Sequence, residues 1–188
     1  MYSTYQSLLQ TYQHITSPSA TPDAVISHVA LLLSSNLPSL ATCLPSYHDQ
    51  ALLLTANMTL LTAYLTIVTY PHQHHHPGWC IIPTMEERHS QLWRQIAATT
   101  MDRVEVVLVM LLLLFYPDSE WLTVHLPDSD REKVERTQEE WAAMAHRYCR
   151  EQGGTRDKVG YRTRLGEIII TIARVREIVE IEELRLEL

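Results

Sequence analysis

An all-α domain is predicted for this chain by three observations. Hydrophobic residues make up 46% of its 188 residues and charged residues 20%, with only 5 glycines, the balance of a globular helical protein. Helix-start and helix-stop signals recur along it, at Thr21-Pro22, at Thr84 with Glu87, at Ser129 with Glu132, and at Gly153-Gly154. Strand signals are confined to one short stretch, Trp79-Cys80-Ile81-Ile82. The length suits one domain over residues 1–188 with a substantial core, and no internal repeat points to a solenoid.

Each element follows from local chemistry. Thr21 is the N-cap and Pro22 the first residue of a helix over about 23–36, which ends near Pro38. A long apolar helix begins near Tyr47 and reaches Tyr70, where Pro71 stops it. Residues 71–83, with Pro77-Gly78 inside, form a loop or a short strand-turn. Capping boxes at Thr84/Glu87 and Ser129/Glu132 open helices over about 85–99 and 130–152, the second ended by Gly153-Gly154. Between them a helix over about 101–116 runs into Pro117, and a last helix starts near Arg156. Residues 51–70 carry no charge. A helix apolar on every side belongs between other helices, so three layers around this one are expected.

Composition also narrows function. A net charge of −7 offers no basic surface for direct nucleic-acid binding. Cys43, Cys80 and Cys149 are odd in number and widely spaced, which argues against a disulfide framework and suits a reducing compartment. No basic-apolar-small leader opens the chain. Residues 51–70 have the length to span a bilayer, but Asn57 and five threonines oppose insertion, so no membrane association is expected. The second apolar run, residues 106–116, is too short to span.

Three separated segments resemble one family in their order and spacing. Leu37-Pro38-Ser39-Leu40 and Asp49-Gln50-Ala51-Leu52-Leu53-Leu54, followed by Ala56 and Met58, are similar to a signature reading Ile-Pro-x-Phe, a short loop, then Asp-Gln-x-x-Leu-Leu. Residues 102–118 end in Leu114-Phe115-Tyr116-Pro117-Asp118, similar to a helix ending Leu-Phe-Asn-Pro-Asp. Arg164-Leu165-Gly166-Glu167-Ile168-Ile169-Ile170 resembles Arg-Phe-Gly/Ala-x-Leu-Leu-Leu, and Val175-Arg176-Glu177-Ile178 stands for Leu-Arg-Ser-Ile. The family is the nuclear receptor ligand-binding domain. Residues 134–149 resemble its ninth helix, and the last third is most similar to the retinoid X receptor and ultraspiracle type. The likeness covers about residues 21–181.

The resemblance implies a three-layer antiparallel helical sandwich that regulates transcription, in the nucleus and also the cytoplasm. Its partners would be another receptor ligand-binding domain, as homo- or heterodimer, and coregulator peptides. It implies no cofactor beyond a lipophilic, hormone-like ligand. The dimer seam would use Leu165, Ile168, Ile169, Ile172, Val175, Arg176 and Val179 of the last helix. Leu31, Ser35, Tyr47, Gln50, Ala51 and Leu54 would form the coregulator groove. Ala30, Leu33, Met58, Leu61, Leu65, Thr69, Leu92 and Ile96 would surround the ligand.

Several positions depart from the family pattern. The lysine that clamps a coactivator helix corresponds to Ser35, and the chain ends at Leu188 before the final activation helix that carries the clamping glutamate. A serine does not satisfy a peptide helix C-terminus as an ammonium does, so weak coactivator recruitment is expected. Thr69 stands where acid- and steroid-binding members carry an arginine. Leu60 and Met110 replace a glutamate and an arginine, a paired loss that leaves no stranded buried charge. Three scattered cysteines do not build the zinc-binding DNA domain.

Other clusters have plainer readings. His72, His74, His75 and His76 beside Cys80, with His89 following, could ligate zinc or copper, but their irregular spacing suits a solvated loop and no metal site is expected. The last helix has no histidine to serve as a haem ligand. Asp118, Glu120, Asp128 and Asp130 near Ser119 and His125 pair no nucleophile with an oriented base, so they read as caps rather than catalysts and no enzyme is expected. The alternative to a receptor module is a helical interaction scaffold without ligand.

Overall fold

The computed structural model describes residues 38–69, 83–152 and 158–186, and every regular element among them is helical. In chain order these are α1 (Pro38–Cys43), α2 (Tyr47–Thr69), α3 (Pro83–Ala97), α4 (Arg103–Leu114), α5 (Glu120–His125), α6 (Asp128–Gln152) and α7 (Lys158–Leu186). The expected helix over 23–36, the Trp79–Ile82 stretch and the histidine loop with Cys80 lie outside the described residues.

The most enclosed helix is α4, not the long apolar helix on which the sequence centres the fold. Every residue from Glu105 to Leu114 is buried, as are Phe115 and Tyr116. This helix packs against α2, α6 and α7. Its run of Val, Leu and Met leaves no polar side to turn outward, so burial on all sides is its only low-energy placement. In α2 the threonines provide such a side. Ala51, Thr55 and Thr59 are exposed in a line, while Leu53, Leu60, Leu61, Tyr64, Leu65 and Ile67 enter the core. Thr55 Oγ1 donates to the Ala51 carbonyl at 2.8 Å and Thr66 Oγ1 to the Thr62 carbonyl at 2.7 Å. Their hydroxyls are thus satisfied within the helix. By length and composition α2 could cross a bilayer, and the core helix of a folded domain passes the same test.

Two helix starts fall earlier than their capping boxes predict. α3 begins at Pro83 and α6 at Asp128, which puts Thr84 and Ser129 inside the helices. At α6 the Pro127 carbonyl accepts from the amides of both Asp130 and Arg131 at 2.9 Å, so the first turn closes one residue before the serine. A proline and early acids suit a helix N-terminus as well as a serine cap does. The capping box that does form is at α4. Asp102 Oδ1 accepts from the amides of Val104 and Glu105 at 2.8 and 2.9 Å, and Glu105 Oε2 accepts from the Asp102 amide at 2.9 Å.

Two short helices were not expected. α1 buries Leu40 and Cys43, and α5 follows Ser119 and sinks Leu122 into the core. Six residues hold fewer than two turns, too few for periodicity to register.

Candidate functional site

The three segments on which the family likeness rests meet around α4. Its C-terminal carbonyls lack intrahelical partners, and side chains from neighbouring helices satisfy them. Asn57 Nδ2 of α2, fully buried, donates to the carbonyls of Leu114 and Tyr116 at 2.9 and 3.0 Å. Gln138 Nε2 of α6 donates to the Leu112 carbonyl at 3.1 Å. At the other end Arg164 of α7 grips Glu105 in a fork, Nε to Oε1 at 2.6 Å and Nη2 to Oε2 at 3.0 Å. The Glu105 side chain is 3% exposed. Tyr148 of α6 donates to Asp102 Oδ2 at 2.8 Å, with Arg164 Nη2 3.7 Å from the same oxygen. Hydrogen bonding to Glu105 holds the Arg164 guanidinium above its already high ordinary value.

The long helix α7 presents two apolar faces. Three consecutive isoleucines, 168 to 170, fan over about 200° of the helix circumference, wider than one core stripe. Ile168, Thr171, Val175, Ile178 and Val179 are buried. On the opposite side Ile169 is 58% and Ile170 48% exposed, Ala173 is exposed, and a Cβ added at Gly166 would meet nothing within 4 Å. The seam expected from sequence therefore divides. Ile168, Val175 and Val179 are core; Leu165, Ile172 and Arg176 are half-buried; Ile169 alone is largely exposed. The guanidinium of Arg176 lies over the Tyr116 ring, 4.5 Å from its centroid, and 3.9 Å from Glu180. Ile170, Ala173 and Gly166 were missed because the inward stripe repeats at helical spacing and the outward one is cut short by charges.

Polar contacts fix the far half of α7 to α3. Arg88 forks onto Glu177 at 2.5 and 2.9 Å, and His89 Nε2 lies 3.1 Å from Glu182 Oε1. The Arg88 guanidinium holds the Glu177 carboxyl below the usual carboxylate range. Burial pushes the Tyr116 phenol up to about 12. Such a group favours folding fully below the ordinary tyrosine value near 10, and that contribution disappears as pH rises toward 12. Ultraviolet titration should accordingly lose one late-ionising tyrosine, near pH 12, in Tyr116→Phe. The stability gap between wild type and this variant should shrink between those two pH values.

The remaining expected site residues scatter. Leu61, Leu65, Leu92 and Ile96 are buried in the continuous core with Met58 packed against it, and the buried Thr69 hydroxyl finds no hydrogen-bond partner among the described residues. Leu60 and Met110 are also both core residues, so the paired loss of charge fits an apolar setting. A nearby cavity of about 50 Å³, lined by Tyr64, Val68, Ile96, Thr99, Met101 and Thr171, is far below the ~300–1,000 Å³ of drug-sized ligand pockets. Of the expected groove, Tyr47 and Ala51 are exposed and Leu54 is half-buried. Gln50 is buried and donates to the Leu44 carbonyl at 2.7 Å, closing the end of α1. Ala30, Leu33, Leu31 and Ser35 lie outside the described residues.

The loop carboxylates have local partners. Asp118 accepts from the Tyr116 hydroxyl at 3.1 Å, Asp128 pairs with Arg131 at 2.8 Å, and Asp130 pairs with Lys133. Cys43 and Cys149 are free and buried, and burial raises both thiols above the ordinary cysteine value, which makes them poor nucleophiles. No family model matches this chain, and no curated protein matches it significantly.

Proposed function

We propose that this chain is a divergent module of the nuclear receptor ligand-binding type. In this reading it is a three-layer helical sandwich that regulates transcription by dimerising with another receptor ligand-binding domain. The observation that carries the reading is the outward apolar face of α7, where Ile169 and Ile170 stand largely exposed on a helix otherwise fastened into the fold. Apolar side chains left adjacent at a surface gain from a partner that covers them. The meeting of the three resembling segments adds support: Asn57, just beyond the first, bonds the end of the second, and Glu105 of the second grips Arg164 of the third. Dimerisation, rather than a ligand cavity, is the operating principle of this proposal. A lipophilic ligand would need space beyond the small cavity beside Thr171.

Native mass spectrometry of the chain mixed with a retinoid X-type ligand-binding domain tests the proposal. A one-to-one complex is expected, weakened at least tenfold by Ile169→Asp with helical content unchanged. A chain that ignores the partner domain, or a complex indifferent to Ile169→Asp, would overturn it. Val175 is unsuitable for this test, because a charge at a fully buried position would unfold the domain instead.

A further inference from the structure

We infer that the small cavity where α2, α3, α4 and α7 meet is a built site for one internal water, held by the hydroxyl of Thr171. The site stands whether or not the chain is a receptor module. Threonines elsewhere satisfy their own hydroxyls. Thr55, Thr66, Thr99, Thr123 and Thr137 each donate to the carbonyl four residues back, at 2.7 to 3.1 Å. Thr171 does not. It is 1% exposed in the middle of α7, and its Oγ1 finds no hydrogen-bond partner among the described residues. A hydroxyl withdrawn from solvent without a replacement bond is costly, so buried ones pair with protein or with ordered water. Thr171 also lines the cavity of about 50 Å³, so a partner for its hydroxyl has a place to sit.

Size and chemistry select that partner. A water takes about 30 Å³ in the liquid, so a cavity of about 50 Å³ holds one and leaves too little for a second. Two further hydroxyls belong to residues of the wall. Tyr64, fully buried in α2, donates to Met101 Sδ at 3.6 Å, and Thr99 donates to the Gln95 carbonyl at 2.9 Å. A hydroxyl oxygen has two lone pairs, so each can accept while it donates. A water that accepts from Thr171 and donates to Tyr64 and Thr99 makes three hydrogen bonds, the usual number for a buried water. It would tie α2 and α7 to the connection between α3 and α4. A hydrocarbon of the same size would leave the Thr171 hydroxyl stranded. Thr99 and Met101 are half-buried in that connection and mark the way in from solvent.

Magnetic relaxation dispersion of water oxygen, which counts long-lived internal waters, tests this on the purified full chain. Thr171→Val removes the hydroxyl at nearly constant volume and is expected to lose one such water against wild type. Thr171→Ser keeps the hydroxyl and is expected to retain it. In urea unfolding, Thr171→Val should lower the folding equilibrium constant about fivefold, because the water loses a hydrogen-bond donor. A hydroxyl in a dry cavity predicts the opposite sign, since removing an unsatisfied polar group stabilises. An unchanged count of long-lived waters in Thr171→Val, or a Thr171→Val more stable than wild type, overturns the inference. Xenon is a second probe, for it enters dry apolar cavities. Shifts of the Ile96 and Val106 methyl resonances under xenon would likewise overturn it, and unshifted methyls are expected.

Discussion

Arg164→Ala is expected to lower the unfolding free energy by about 3 kcal/mol, near the lower end for breaking a buried ion pair. The cost arises at Glu105, which would keep its carboxylate in the core with only the Asp102 amide to satisfy it. Arg164 itself is partly exposed, so solvent screens some of the attraction and the lower end applies. Arg164→Lys keeps a charge but loses the fork, and should fall between wild type and alanine. Glu105→Gln alone leaves the arginine able to reach water and should cost less than Arg164→Ala. In urea unfolding, the double variant should be more stable than the sum of the two single losses requires, since it strands no charge. Additive losses would mean that the pair is not coupled, and that α4 and α7 are joined by apolar packing alone.

Asn57→Ala should cost about 2–3 kcal/mol, because it leaves two buried carbonyls, those of Leu114 and Tyr116, without donors. The loss should be local as well as global. Amide exchange ought to quicken first at Phe115 and Tyr116, whose amides close the last turn of α4 onto Leu111 and Leu113. Restoring an amide donor with Asn57→Gln should recover little, because the longer side chain overfills a fully buried site. A stability unchanged in Asn57→Ala would show that water reaches these carbonyls and that the end of α4 is wetter than its packing indicates.

Much of the helix content was legible in the sequence, since long elements carry many repeats of their signal. The helices over about 85–99, 101–116 and 130–152 appear within a few residues of expectation, and the long apolar one at Tyr47–Thr69 matches closely. The Asp102–Glu105 capping box was overlooked because the pattern was sought with serine or threonine, although aspartate accepts the same amide bonds. Centring the fold on residues 51–70 followed from the absence of charge, but threonine is uncharged and still content at a surface when its hydroxyl bonds back to the helix.

What the sequence determined by itself was the all-helical class, the long helices and an apolar stripe along the last one, because these depend on local propensity and spacing. Only the tertiary structure decided which isoleucine of α7 faces out. Ile168 and Ile169 are chemically identical neighbours, and one is core while the other is surface because α4, α6 and the other packed helices cover one side of α7 and leave the other bare. The pairing of Glu105 with Arg164 was equally invisible, for the two lie 59 residues apart and meet only when two helices pack. Burial and long-range pairing are properties of the assembled helices, so no local pattern encodes them.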